Sequence, residues 1–243
     1  SLITSQIGSA NFDIGHTFST GGGGLAGLGV VCSNSQKARG ITGSPSPVGD
    51  PYDIDYVAHE VGHQFNCNHT FNGSAGSCSG NGSSANAVEP GSGVTIMAYA
   101  GICTGQDLAS NSIAYFHGIS YDALTNFIQT GGGNSCDVMT ATGNSAPTVT
   151  AGPSYVVPKG TPFQLTGSAT DPDGDALTYQ WEEMDAGTSF ANWNSGKKPY
   201  FRSYAPVASP TRLFPKLANV IAGTYTNSAG EFLPGAAGTT FTA

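Results

Sequence analysis

The run His59-Glu60-Val61-Gly62-His63-Gln64-Phe65-Asn66-Cys67-Asn68-His69 constrains this chain more than any other stretch. A helix turns about every 3.6 residues, so His59 and His63 stack one turn apart on one face and both rings can point at a single ion. Glu60 sits beside that pair without belonging to it. His69 comes six residues after His63, so it can join the site only where the helix stops and the chain turns back. Three neutral imidazoles with one open position form a catalytic zinc site rather than a closed structural one. The pattern H-E-x-x-H with a third histidine at this spacing points to a zinc hydrolase.

The flanks predict how the stretch is held. Asp53 and Asp55 bring negative charge to a helix N-terminus, and Ile54, Val57, Ala58, Val61 and Phe65 recur at helical spacing. The histidine helix is therefore expected to pack on its opposite flank. Gly62 inside it costs about 1 kcal/mol relative to Ala, which implies that another element passes close by.

Composition narrows the function classes. The net charge is −8, with only eight Lys plus Arg in 243 residues, so no basic patch exists to hold phosphates. Nucleic acid and anionic membrane are excluded as partners on that ground. No apolar run approaches the roughly 20 residues of a membrane span, and no charged-then-apolar leader begins at Ser1. Five cysteines in a chain rich in Gly fit an oxidising compartment, so a secreted or periplasmic location is expected. The odd number leaves at least one thiol outside the intrachain pairs.

Elsewhere the chain reads as short elements. Residues 10–18 alternate like a half-buried strand, with His16 a satisfied strand histidine rather than a ligand. Residues 25–31 read as a Gly-rich second strand, either an edge that accepts an extended peptide or a plain bulged edge. Residues 38–42 predict a third strand, 43–51 a Pro-rich loop, 71–86 a polar loop carrying Cys78, and 94–99 a brief apolar run ending in a turn. Ser120 is the expected N-cap of a helix over 121–129. Residues 140–152 have linker composition. Beyond them 155–157, 163–165 and 176–181 are expected strands of an Ig-like or fibronectin-like β-sandwich. The acidic run 171–175 reads as a tight turn, with Ca²⁺ binding the second reading; Ala176 stands where an EF-hand loop needs Gly.

His59, His63, His69 and Glu60, followed by Met97 in Ile96-Met97-Ala98-Tyr99, resemble the metzincin metalloendopeptidases, and most nearly the reprolysin (adamalysin)-like branch in a bacterial form. Gly24-Leu25-Ala26 with Val31-Cys32 resembles that branch's substrate-binding edge strand. The resemblance covers roughly residues 10–136. It implies Zn²⁺ on the three histidines, Glu60 as general base and acid, and Met97 as a hydrophobic floor beneath the metal. It also implies a protein or peptide substrate lying along Gly24, Leu25, Ala26 and Gly27. Tyr99 resembles a tyrosine that other metzincins place near the metal, and oxyanion stabilisation and core packing both remain open for it. The family pattern implies a Cys32–Cys136 disulfide. Cys78–Cys103 is the next pairing, leaving Cys67 free, with Cys67–Cys78 the alternative. Where metzincins place Gly three residues after the second histidine, this chain has Asn66, which tolerates the positive φ that a sharp turn needs.

The expected fold is an α+β metzincin-like domain over 1–139, with a twisted sheet, an active-site helix and a C-terminal helix. A linker over 140–152 and an all-β sandwich-like module over 153–243 follow. Metzincin domains carry further strands before the region matched here. Both parts therefore read as pieces of something longer, with a missing N-terminal segment of the same precursor as one partner. Two rival functions stand beside the endopeptidase: a surface adhesion protein that uses the sandwich and keeps the zinc domain as scaffold, and a zinc hydrolase of non-peptide bonds.

Overall fold

The computed structural model describes residues 2–187, 197–225, 229–235, 239–240 and 242–243. Its first half mixes short helices with a three-stranded sheet. Helix α1 (Leu2–Ile7) and a 3-10 turn (Ser9–Asn11) precede strands β1 (Thr17–Ser19), β2 (Gly23–Ala26) and β3 (Gly40–Gly43). The sheet order is β1-β3-β2, with β1 parallel and β2 antiparallel to the central β3. Among the described residues the outer edge of β2 pairs with no strand. Helix α2 (Asp50–Tyr52) continues through a π-helical segment (Asp53–Ala58) into α3 (His59–Gln64), and α4 (Gly118–Gln129) follows much later.

Three local expectations change. Residues 10–18 form a strand only from Thr17, because the preceding backbone bonds to loops: Gly15 N–H donates to Lys37 O and Asp13 O accepts from Cys32 N–H. The second strand ends at Ala26 rather than running to Val31, so Gly27 lies just past it. There the chain turns through Gly29, at φ 60°, and buries Val30 and Val31. That turn aims the N–H groups of Gly29 and Val30 at the carbonyls of His63 and Gln64, satisfying the last turn of α3. Finally, α4 starts two residues before Ser120. Its cap is His117, whose Nδ1 accepts from Ile119 N–H, while Ser120 is buried within the helix.

The core under the histidine helix is Cys67, Ile96 and Met97, with Ile54, Ala58, Phe116 and Leu124 packed against it. Disulfides Cys32–Cys136 and Cys78–Cys103 close two loops, and Cys67 is free and buried. The first bond ties the end of the β2 turn to the segment after α4.

After residue 140 come β4 (Thr148–Thr150), β5 (Phe163–Thr166), β6 (Ser168–Thr170), β7 (Thr211–Phe214) and α5 (Leu217–Ala222). The strands form two antiparallel pairs, β4-β6 and β5-β7. The expected strand 155–157 is exposed and unpaired, and 176–181 contributes only the bridge Tyr179–Val207. An aromatic core of Tyr200, Phe201, Phe214 and Phe232 holds this part together, with Phe163 and Phe214 stacked 5.1 Å apart. A polar seam joins it to the first half. Glu182 accepts from Gly118 N–H at 2.7 Å and from Tyr115 Oη–H at 2.9 Å, and Arg202 donates to Leu108 O at 2.9 Å. In the acidic turn Asp171 Oδ1 accepts from the N–H groups of Asp173 and Asp175, so the carboxylate closes the backbone.

Glu183 lies under the aromatic core. Its Oε2 accepts from Tyr200 and Phe201 N–H, its Oε1 has no partner among the described residues, and burial pushes its carboxyl up to about 8. A carboxyl whose folded value is raised stabilises the fold below its unfolded value of 4.5, and that contribution is lost as pH rises through about 8. Denaturant titrations from pH 5 to 9 should show stability falling by up to about 1.4 kcal/mol per pH unit from this group. Glu183→Gln should flatten that part of the profile.

Candidate metal centre

The three imidazoles converge. His69 Nε2 lies 3.2 Å from His59 Nε2 and 3.0 Å from His63 Nε2. Each opposite nitrogen meets a backbone carbonyl: His59 Nδ1 on Ile96 O at 2.7 Å, His63 Nδ1 on Cys67 O at 2.7 Å, and His69 Nδ1 on Asn81 O at 2.5 Å. A carbonyl only accepts, so every Nδ1 carries the proton and every Nε2 presents a lone pair. Three converging lone pairs, two of the separations near 3 Å and all within 4.8 Å, repel one another unless a cation lies between them. Donors about 2.0–2.1 Å from a tetrahedral zinc are about 3.3 Å from each other, close to the two separations from His69. Burial, with the neighbouring imidazoles, lowers the proton affinity of His59 far below the usual histidine value and that of His69 to about 4. The rings are therefore neutral, which is the ligand form. His59, His63 and His69 form the only such cluster among the described residues, and the fit to a metal ion is good.

Local sequence explains how His69 arrives. At the end of α3, Cys67 N–H bonds to Gly62 O and Asn66 N–H to His63 O, the paired bonds of a Schellman turn. Asn66 is its left-handed residue, at φ 75°. The same turn delivers Cys67 O to His63 Nδ1, so one backbone motif both reverses the chain and orients a ligand. Asn66→Val puts a β-branched residue at positive φ. It is expected to cost about 1–2 kcal/mol in thermal or denaturant unfolding, whereas Asn66→Gly should be neutral or better.

Beneath the helix, Met97 is fully buried, and a Cβ on Gly62 would overlap its sulfur. Close approach of the methionine turn thus accounts for the glycine. Cys67 is no ligand here: its Sγ donates to Ser120 O at 3.4 Å and burial pushes its thiol up to about 12. His16, as expected, is a satisfied histidine, held between Gln64 Oε1 and Thr42 Oγ1 at 2.7 Å each.

A cleft of about 470 Å³ opens beside the triad, with Gly23 and Gly24 of β2 and Glu60 in its walls. Glu60 is only 8% exposed, and its Oε2 is buried without a hydrogen-bond partner. Burial raises its carboxyl to about 7. A Cβ on Gly24 would collide with the Glu60 carboxylate, so the edge strand runs against it. Leu25 is exposed and Ala26 half-buried farther along the strand. Tyr99 packs its ring 4.6 Å from His69 and 4.7 Å from Phe71, and also lines the cleft. Burial, then the charge of Glu60, pushes its phenol up to about 12, so it stays a donor.

One residue that the sequence reading missed organises the site from behind. Glu89 is buried. Its Oε1 accepts from Val94 and Thr95 N–H at 2.9 and 3.2 Å, and its Oε2 from the Thr70 and Thr95 hydroxyls at 2.6 and 2.5 Å. Thr70 follows the third histidine, and Thr95 precedes the carbonyl that orients His59. A lone Glu in a Gly- and Ser-rich stretch gives no periodic signal that would single it out.

Comparison with known families agrees with this geometry: the model of metallo-peptidase family M12B, reprolysin-like, matches residues 1–126, just over half of the 243. No curated protein and no solved structure matches the chain. With the matched segment carrying all three histidines and the adjoining carboxylate, the chain belongs to the M12B reprolysin-like metallopeptidase family.

Proposed function

We propose that this chain is a secreted, zinc-dependent endopeptidase of the bacterial type. The observation that carries the reading is the set of three converging Nε2 lone pairs, each fixed by a carbonyl on Nδ1, beside the unpartnered Glu60 oxygen in the cleft. His59, His63 and His69 hold the ion; when bound, zinc supplies Lewis acidity to water and to a peptide carbonyl. Glu60, its Oε2 buried in the cleft without a hydrogen-bond partner, takes the proton of the attacking water and passes it to the leaving amine. A substrate running antiparallel along the free edge of β2 gains backbone hydrogen bonds there and brings a carbonyl past Gly24 to Glu60. The neutral Tyr99 phenol lies where it can donate to the developing oxyanion. Met97 is the floor. Residues 1–139 form the peptidase unit and 140–152 a linker. Residues 153–243 form an Ig-like β module that braces α4 through Glu182. Two disulfides fit an extracellular setting.

Removal of metal tests the reading directly. Chelation should abolish cleavage of an unstructured protein such as casein, and one equivalent of zinc should restore it. Chelator-resistant cleavage, or zinc binding with no hydrolysis of any peptide, would defeat it.

A further inference from the structure

The cleft carries a second carboxylate that the hydrolytic chemistry does not use. Asp55 lies four residues before His59, in the π-helical segment, and lines the same cleft as Glu60 and the edge-strand glycines. Opposite it runs the chain that follows the methionine turn. Ser112 N–H donates to Asp55 Oδ1 at 2.7 Å, and Asn111, its amide turned so that nitrogen faces acceptors, donates to Oδ2 at 2.8 Å. The Ser112 side chain also hydrogen-bonds to the carboxylate; with about four lone-pair positions on a carboxylate, about one remains after these three bonds. Among the described lining residues there is no Lys or Arg, and Glu60 is the other carboxylate. Half-burial holds the Asp55 carboxyl above the usual range, with the Ser112 N–H and side chain pulling it back, and the carboxylate has no cationic partner among the described lining residues. A cation brought by the substrate would supply one.

We propose that Asp55 is a specificity-determining residue that selects a Lys or Arg side chain next to the scissile bond. The inference rests on the peptidase reading above and deepens it. The existing hydrogen bonds fix the carboxylate and leave a lone pair for an ammonium or a single guanidinium N–H. An apolar side chain there would desolvate the carboxylate without replacing its lost water. Acidic side chains would meet both Asp55 and Glu60 and are expected to be rejected.

The experiment profiles the zinc-loaded full chain against unstructured peptides varied at each position flanking the bond, with products read by mass spectrometry. Lys or Arg should be preferred over Gln or Met at one position by about tenfold or more in kcat/KM. In Asp55→Asn, which keeps an acceptor for Ser112 N–H, the preference should shrink to about two- to threefold. Asp55→Lys should turn it toward Asp and Glu. Efficient cleavage with no basic preference, or the same preference in Asp55→Asn, would overturn the subsite while leaving the peptidase intact. A wild-type chain that binds zinc and cuts none of the peptides would overturn both.

Discussion

Glu60→Gln is expected to keep the metal and lose about 10²- to 10⁴-fold in kcat/KM, the range over which general acid–base groups act. Gln has nearly the same shape, so the packing against Gly24 survives. The three carbonyls that orient the imidazoles, on Ile96, Cys67 and Asn81, do not touch residue 60. Zinc affinity should therefore change by no more than a few fold. What disappears is a group that can hold a proton and return it. An unfolded or metal-free variant would mimic the loss, so zinc content and a melting curve belong in the same experiment. Turnover retained in a folded, zinc-loaded Glu60→Gln protein would show that the carboxylate has another purpose.

Glu89→Ala should be the most damaging substitution outside the ligands. It strips acceptors from two backbone N–H groups and two hydroxyls in a region closed to water. Orphaned buried donors cost about 1–3 kcal/mol each before relaxation, so a total loss of roughly 3–5 kcal/mol is reasonable. That is a large part of the 5–15 kcal/mol typical of a folded domain. Because Thr70 adjoins His69 and Thr95 adjoins the carbonyl that steers His59, zinc affinity should fall together with stability. Glu89→Gln should be milder: one oxygen still serves the N–H pair, and both threonine hydroxyls can rotate to accept from its amide. Denaturant unfolding with a competitive zinc titration separates the two effects. A loss below about 1 kcal/mol in Glu89→Ala would mean that the methionine turn is held by packing alone.

The contrast between Asn66 and Glu89 shows what local sequence can carry. Ligand spacing and the packed flank follow from helix geometry, and the turn through positive φ at Asn66 is what the family resemblance implies. Gly62 against Met97 was legible as a demand for closeness, although the partner's side-chain geometry was not. Glu89 acts across the fold, on residues whose neighbourhood only the tertiary chain path creates. A similar reason shortens the Gly-rich strand expected over 25–31: the carbonyls at the end of α3 draw Gly29 and Val30 into a turn. At α4 the hydroxyl of Ser120 looked like the better cap, yet His117 takes that role with Nδ1 while Glu182 closes on Gly118 N–H. In the second half, apolar triplets such as 155–157 mimic strands but lie exposed, and the aromatic core draws Phe214 and Phe232 onto the adjacent Tyr200 and Phe201.

His59, His63 and His69, and no thiolate, are the residues that would hold the zinc ion. X-ray absorption at the zinc edge of the loaded protein tests this assignment most directly. Three imidazole nitrogens and a light exchangeable atom are expected, with His69→Ala losing one imidazole. A sulfur at about 2.3 Å, the distance of a cysteine ligand, would place Cys67 on the metal and contradict the site described.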